Sequence, residues 1–134
     1  MMKLTMKEVS EKLNVSEHTI RYYDNIDLIP GVGRNEQGRR VFDDDAIGWL
    51  QFVIAFRSTG MPIADVKRYI ELTYQGQDTF SERLGMLETQ ISELDEKINH
   101  LNDQREIIKT KINNYYQQAK DSQTKNKQPY QKWV

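Results

Sequence analysis

The chain is 134 residues long, which allows one compact domain with an extension but excludes two full hydrophobic cores. Lysine and arginine number 19 against 20 aspartate and glutamate, so a net charge of -1 gives no overall attraction to nucleic acid or anionic lipid. The absence of cysteine excludes disulfides, thiolate metal sites and cysteine nucleophiles, and two histidines alone cannot form a zinc site. No long apolar segment or signal peptide is present, so we expect a cytoplasmic protein with no cofactor, metal or membrane contact.

The first predicted element is a helix that begins after Thr5. Thr5 and Glu8 match a capping box, in which the hydroxyl and the carboxylate bind free amides at a helix start. Apolar spacing then predicts a helix over about 6–13. Asn14 tolerates left-handed backbone and Ser16 is a good N-cap, so a second helix follows at once. Two short helices joined by such a turn form a helix-turn-helix.

The second helix has an apolar face and a polar face. Ile20 and Tyr23 are three residues apart and can pack against the first helix. The side chains that this leaves pointing outward are Glu17, His18, Arg21 and Tyr22. They are residue types that read base edges in a DNA groove.

A β-hairpin is predicted between Gly31 and Phe42, with Gln37-Gly38 as its turn. It contains the densest basic cluster of the first half of the chain, namely Arg34, Arg39 and Arg40. Such a hairpin is typical of a wing that straddles a phosphate backbone.

Two further helices follow the hairpin. Asp43-Asp44-Asp45 predicts the start of the third helix, because the acids cap its free amides and complement its dipole. This helix is apolar nearly all round, which is typical of burial on more than one side, and it runs to about Ser58. Gly60-Met61-Pro62 separates it from a fourth helix that ends near Gly76. Arg57 beside this turn offers a second phosphate contact.

From Phe80 to Tyr116 there is no proline and one glycine, which predicts one long helix. Its apolar residues follow a heptad repeat that is broken at Arg105. They are Leu84, Leu87, Ile91, Leu94, Ile98, Leu101, Ile108 and Ile112. A small domain cannot cover such a stripe, so we expect a homodimer; a helix folded back on its own domain is the alternative. The spacing does not separate parallel from antiparallel pairing.

These motifs resemble the MerR family of bacterial transcription regulators over residues 3–116. The strongest match is the Val15-Ser16 turn with Thr19-Ile20-Arg21-Tyr22-Tyr23, followed by Gly38-Arg39-Arg40-Val41-Phe42 and the stretch 57–63. The resemblance implies a mainly α fold with a winged helix-turn-helix DNA-binding domain over 1–76. A dimerisation helix over 77–119 would form an antiparallel coiled coil, and the polar residues 120–134 are expected to be a disordered tail.

The resemblance also implies which residues contact DNA. Those in or beside the major groove would be Ser16, His18, Thr19, Arg21 and Tyr22, while Tyr23 touches the backbone or simply packs. Those holding the wing to phosphates would be Arg34, Asn35, Arg39 and Arg40. Phe42 replaces the usual tyrosine of the family, which removes a hydroxyl, and Asp27 replaces the usual glycine after the second helix.

Regulators of this family bind an inverted repeat as dimers, in promoters whose spacer is too long, and they bend and untwist it so that RNA polymerase can engage. We therefore expect a sequence-specific regulator, not an enzyme, whose partners are promoter DNA and a second copy of itself. It would act on RNA polymerase indirectly, through DNA deformation. The alternative is an effector-independent, excisionase-like protein that shapes DNA.

The effector is not identified by the sequence. The third and fourth helices are most similar to the aldehyde-responsive branch, yet the thiols of that branch and of the metal- and redox-sensing members are absent. One hypothesis is a small aromatic pocket beside the partner's helix, and a plain dimer core is the favoured interpretation. The residues concerned are Trp49, Phe52, Phe56, Tyr69 and Tyr74.

Overall fold

The computed structural model describes residues 3–121, and helices dominate them, as predicted. The elements in chain order are β1 (Leu4–Thr5), α1 (Met6–Leu13), α2 (Glu17–Asn25), β2 (Gly33–Arg34), β3 (Arg40–Phe42), α3 (Asp44–Ser58), α4 (Ile63–Gln75) and α5 (Phe80–Asp121), with a 3-10 turn at Gln77–Thr79. By internal contacts the chain divides into two units, one ending at Gln90 and the other beginning at Ile91. No helix within 3–121 is long and apolar enough to span a bilayer.

The helix-turn-helix forms for the local reasons that the sequence indicates. The Thr5 hydroxyl accepts from the Glu8 amide at 3.2 Å, and the Thr5 amide donates to the Glu8 carboxylate at 2.9 Å. Asn14 ends α1 in left-handed backbone at φ 55. The Ser16 hydroxyl then caps α2 by accepting from the Thr19 amide at 3.1 Å. The predicted capping box, turn and second helix are all confirmed.

A three-stranded antiparallel sheet carries the predicted hairpin. Its order is β1-β3-β2, so β3 is the central strand. Gly38 has φ 77, which glycine adopts without strain, and the Asn35 side-chain oxygen accepts from the amides of Gln37 and Arg39. The hairpin between β2 and β3 is called the wing below. The predicted hairpin is confirmed, but its turn has Glu36-Gln37 at the centre rather than Gln37-Gly38, because the Gly38 amide donates to the Asn35 carbonyl oxygen at 2.9 Å.

Two apolar clusters hold the first unit together. The first joins α1, α2, β3 and α3 and contains Val9, Ile20 and Leu50, all fully buried. The second joins α3 to α4 around Val53 and Val66, also fully buried. Burying each such side chain stabilises the fold by about 1.5–3 kcal/mol. This packing explains why α3 is apolar on nearly all sides.

The connection from α4 to α5 is held by buried polar bonds. Gly76 has φ 100, a conformation that favours glycine. The buried hydroxyl of Thr79 lies 2.6 Å from the Leu72 carbonyl oxygen and accepts from Arg83 Nε at 3.0 Å. Gln90 Nε2 donates to the Thr59 hydroxyl at 2.7 Å, which ties α5 to the end of α3.

The long helix α5 continues beyond its predicted end. It has 42 residues and includes Lys120 and Asp121, which the sequence interpretation assigned to a tail. The rest of that segment, 122–134, lies outside the described residues.

Candidate nucleic-acid interface

The outer face of α2 carries polar and aromatic side chains because its apolar face is used for packing. Ile20 is fully buried, whereas the predicted outward set is exposed: Glu17, His18, Arg21 and Tyr22. Tyr23 is half-buried and packs against both apolar clusters, so the structure favours the packing role for this residue. The Ser16 hydroxyl donates to the half-buried Thr19 hydroxyl at 2.9 Å, which fixes both at the start of α2.

The wing presents two exposed arginines beside α2. Arg34 donates to the Gly38 carbonyl oxygen at 2.8 Å, which closes the hairpin and leaves the guanidinium at the surface. Arg39 is exposed at the end of the turn. Asn35 uses its side-chain oxygen to shape this turn. All three of these wing residues are exposed.

Arg40 differs from its neighbours in the wing. Its Nε donates to Asp24 at 2.5 Å, and its terminal nitrogen donates to the Asn25 side-chain oxygen at 2.7 Å. Both partners lie at the end of α2. The guanidinium predicted to hold a phosphate is thus engaged within the chain.

Phe42 is a core residue, and its predicted place in the DNA contact surface is wrong. Its side chain has no solvent exposure and lies in the first apolar cluster. The reason is its position on the central strand β3, where the side chain faces α1 and α3 rather than solvent. Asp27 has φ 60, so this non-glycine residue adopts left-handed backbone in the turn after α2.

Arg57 also serves the fold. It is half-buried near the end of α3 and donates to the Met61 carbonyl oxygen at 2.8 Å. Its Nε is buried without a hydrogen-bond partner in the described part of the chain. The guanidinium of Arg57 already closes the turn between α3 and α4. A phosphate contact by Arg57 would have to use the N–H groups that do not bind Met61.

A basic groove of about 470 Å³ lies between α1, α2 and the wing. Its charged lining is Lys7, Glu17, Arg21, Arg34, Arg39 and Arg40. The sequence interpretation missed Lys7, although its place in the first turn of α1, one residue after buried Met6, puts it on the outer side. Because Arg40 is paired with Asp24, four cations and one carboxylate remain to set the charge of this groove, and they make it attractive to phosphate despite the balanced total charge.

The five aromatic residues of the hypothetical effector pocket lie together. Trp49 stacks with Tyr74 at 6.3 Å, and Phe56 meets Tyr69 edge-on at 5.3 Å between ring centroids. Phe56 is buried, whereas Phe52 and Tyr74 are 53% and 67% exposed. A shallow depression of about 320 Å³ borders Trp49, Phe52 and Tyr69. These rings therefore form a packed cluster with an exposed apolar edge.

Within 3–121, no group of three or more histidine, aspartate or glutamate side chains is arranged to hold an ion.

The hydrogen bond with Glu82 raises the pKa of Arg68 above its ordinary value. Both side chains are about half exposed, so this pair between α4 and α5 adds little stability.

Two protein-family descriptions match this chain. The family described as "MerR HTH family regulatory protein" matches residues 4–73, and "MerR, DNA binding" matches residues 47–110. The chain belongs to the MerR family. It is a transcriptional regulator of that family. Its fold agrees with this assignment, since it is mainly helical, with a winged helix-turn-helix and a long C-terminal helix.

Several MerR-family proteins are similar over most of the chain. An uncharacterized HTH-type transcriptional regulator of Haemophilus influenzae is 37% identical over 119 residues, which cover 89% of this chain and 87% of that protein. AdhR of Bacillus subtilis is 30% identical over 84 residues, covering 63% and 60% respectively. These relatives are transcription regulators rather than enzymes.

Solved MerR-family structures show the same fold. The structure of HiNmlR, a MerR family regulator lacking the sensor domain, bound to promoter DNA, superposes with a TM-score of 0.82 at 36% identity, covering 86% of this chain and 87% of that one. A MerR family regulator from Listeria monocytogenes gives a TM-score of 0.77 at 36% identity, covering 90% and 91%.

The heptad residues of α5 differ in their solvent exposure. Leu87 is half-buried and packs against the second apolar cluster of its own chain. Leu94 is half-buried as well. The others are exposed, with exposed fractions from 45% to 65%: Leu84, Ile91, Ile98, Leu101, Ile108 and Ile112. Exposed apolar residues at this spacing are costly in water unless another surface covers them.

Proposed function

We propose that this MerR-family chain binds promoter DNA sequence-specifically as a homodimer and regulates transcription by deforming that DNA. The observation that supports the proposal most directly is the basic groove between α2 and the wing, in a fold similar to that of a regulator bound to promoter DNA. The proposed DNA-binding domain spans 1–76 and the dimerisation helix 77–119.

In this proposal α2 enters the major groove. Its exposed outer face offers Arg21 and His18 as donors to base edges, and the Ser16 and Thr19 hydroxyls lie at its N-terminus, where a helix attracts phosphate. Arg34 and Arg39 of the wing hold the flanking phosphates, which sets register without reading sequence. Lys7 adds a cation from α1.

A homodimer follows from the exposed apolar residues of α5. A second copy provides a matching stripe, and an antiparallel pairing of the two helices buries both. Two copies related by a two-fold axis present two copies of α2, so the operator is an inverted repeat with half-sites about one helical turn or a small multiple apart.

DNA deformation is the means by which such a dimer reaches RNA polymerase. Phosphate clamps on two separated half-sites turn a change of dimer geometry into bending and untwisting of the DNA between them. The protein need not touch the central base pairs. An effector at the aromatic cluster is not part of this proposal, because its rings already pack on one another.

Binding to the DNA upstream of its own gene tests the proposal. Fluorescence anisotropy at two salt concentrations compares this duplex with a scrambled duplex of the same length. We expect tighter binding to the native duplex, with an affinity that falls steeply as salt rises. A footprint with two inverted half-sites supports the dimer, whereas a single unrepeated half-site contradicts it. Equal, weak binding to both duplexes favours the excisionase-like alternative.

A further inference from the structure

Arg40 lies on the side of its strand that faces the domain. Side chains alternate along a strand, so Arg40 and Phe42 of β3 point to one face and Val41 points to the other. Phe42 is fully buried on that face. Arg40 therefore points toward the domain, where it reaches the end of α2, while Arg39 precedes the strand and stays exposed.

Arg40 donates from two of its guanidinium nitrogens to the end of α2. It forms an ion pair with Asp24 at 2.5 Å, and only 14% and 19% of the two side chains remain exposed. A second bond of 2.7 Å reaches the Asn25 side chain. A forked guanidinium suits this double contact, which a lysine ammonium cannot reproduce in the same geometry.

The charge of Arg40 is also what the end of α2 requires. The last turn of α2 contains Asp24 and no basic residue, although carbonyl groups make a helix C-terminus negative. A carboxylate there is unfavourable by itself. Arg40 supplies the missing cation from the wing, so the same contact stabilises α2 and joins the wing to it.

We propose that Arg40 is a positioning residue, which with Asp24 and Asn25 fixes the distance and angle between α2 and the wing and does not bind a phosphate itself. This inference rests on the proposed DNA-binding function. The strands of the wing are two and three residues long, so few backbone bonds resist movement of the hairpin against α2. The ion pair holds both DNA-contacting elements in one arrangement before DNA arrives.

The sign of the effect of Asp24→Asn separates the two roles of Arg40. If Arg40 positions the wing, removing the carboxylate charge lowers operator affinity by about tenfold, because the ion pair is lost and only a weaker hydrogen bond to the amide oxygen remains. If Arg40 binds a phosphate, the same change frees the guanidinium and removes a negative charge near DNA, so affinity rises. A rise overturns the inference.

The salt dependence of binding supplies a second readout. Arg40→Ala is expected to lower affinity while the slope of log affinity against log salt stays that of the wild type. Arg39→Ala, one residue away and exposed, is the matched control and should reduce the magnitude of the slope by about 2, because the proposed dimer loses one phosphate contact from each of its two wings. The double variant Asp24→Asn/Arg40→Ala should bind no more weakly than Arg40→Ala alone. A reduced slope for Arg40→Ala contradicts the inference.

A measurement without DNA keeps this test separate from the proposed function. Hydrogen exchange of the wing amides in residues 33–42 should speed up in Asp24→Asn and Arg40→Ala and stay unchanged in Arg39→Ala. Unchanged exchange in all three variants overturns the positioning role even in a protein that binds DNA well. Wild-type protein that binds no DNA but shows the expected exchange pattern refutes the proposed function alone.

Discussion

At the residue scale, neighbouring side chains of the wing differ because of their position in the strand. Arg39 and Arg40 are adjacent arginines, and composition gives no reason to separate them. The structure leaves Arg39 exposed and pairs Arg40 with Asp24. Strand alternation counted back from buried Phe42 is the signal that distinguishes them. The residue types therefore identify the basic cluster. The alternation of side chains along β3 decides that Arg39 is exposed and that Arg40 is paired.

Phe42 gives a prediction at this scale. Phe42→Leu removes part of a fully buried ring and should lower the free energy of unfolding by about 1–2 kcal/mol, since the cavity is only partly refilled. Urea unfolding followed by circular dichroism measures this loss. Operator affinity of the folded variant should equal that of the wild type. Arg39→Ala should show the reverse, with lost affinity and unchanged stability; lost affinity in folded Phe42→Leu would restore Phe42 to the contact surface.

At the element scale, the joint between α4 and α5 depends on a few buried polar atoms. Thr79 is nearly buried, and its hydroxyl contacts the Leu72 and Gly76 carbonyl oxygens and the Arg83 side chain. The sequence shows the break in helix pattern at Gly76 but gives no hint of this network. The direction in which α5 begins is thus set by hydrogen bonds rather than by a helix signal.

Thr79→Val tests this joint. Valine has nearly the same shape but no hydroxyl, so buried polar partners are left unsatisfied and the free energy of unfolding should fall by about 1–3 kcal/mol. Thr79→Ser keeps the hydroxyl and should lose less. Urea unfolding at one fixed protein concentration compares the three proteins, because association contributes to stability. Equal stability of the valine and wild-type proteins would show that the hydroxyl contributes nothing.

At the scale of the whole molecule, the apolar surface of α5 exceeds what the chain covers. Of the heptad residues, Leu87 packs on its own domain, whereas Ile91, Ile98 and Leu101 are 56%, 45% and 65% exposed. Exposed apolar residues at heptad spacing are the basis of the proposed homodimer.

Leu94→Glu tests the homodimer. A charge in the proposed seam should convert the dimer to a monomer and abolish specific operator binding, because a buried unpaired carboxylate is costly. Ser92→Glu adds the same charge two residues away, outside the heptad seam, and should leave the dimer intact. Sedimentation equilibrium gives the mass of each protein. A Leu94→Glu monomer that still binds the operator tightly would refute the dimer argument.

The sequence by itself determined the local elements, since their causes lie within a few residues. The capping box at Thr5, the left-handed Asn14 and the Ser16 cap are all short-range effects, and all are found as predicted. The hairpin also forms as predicted, with the centre of its turn one residue earlier. The motif over 15–23, together with those over 38–42 and 57–63, also indicated the family that residues 4–73 match.

The outward face of α2 was predicted from its apolar spacing, but only the tertiary structure decided which candidate residues of the wing and of α3 face outward. Burial of Phe42, the pairing of Arg40 with Asp24 and the contact of Arg57 with the Met61 carbonyl join residues from different elements or across a turn. The sequence alone does not distinguish an arginine that can bind a phosphate from one that pairs with a carboxylate, because the carboxylate partner comes from another element that packs against it. Position along the chain determined the elements, whereas packing between them determined which side chains remain free for DNA.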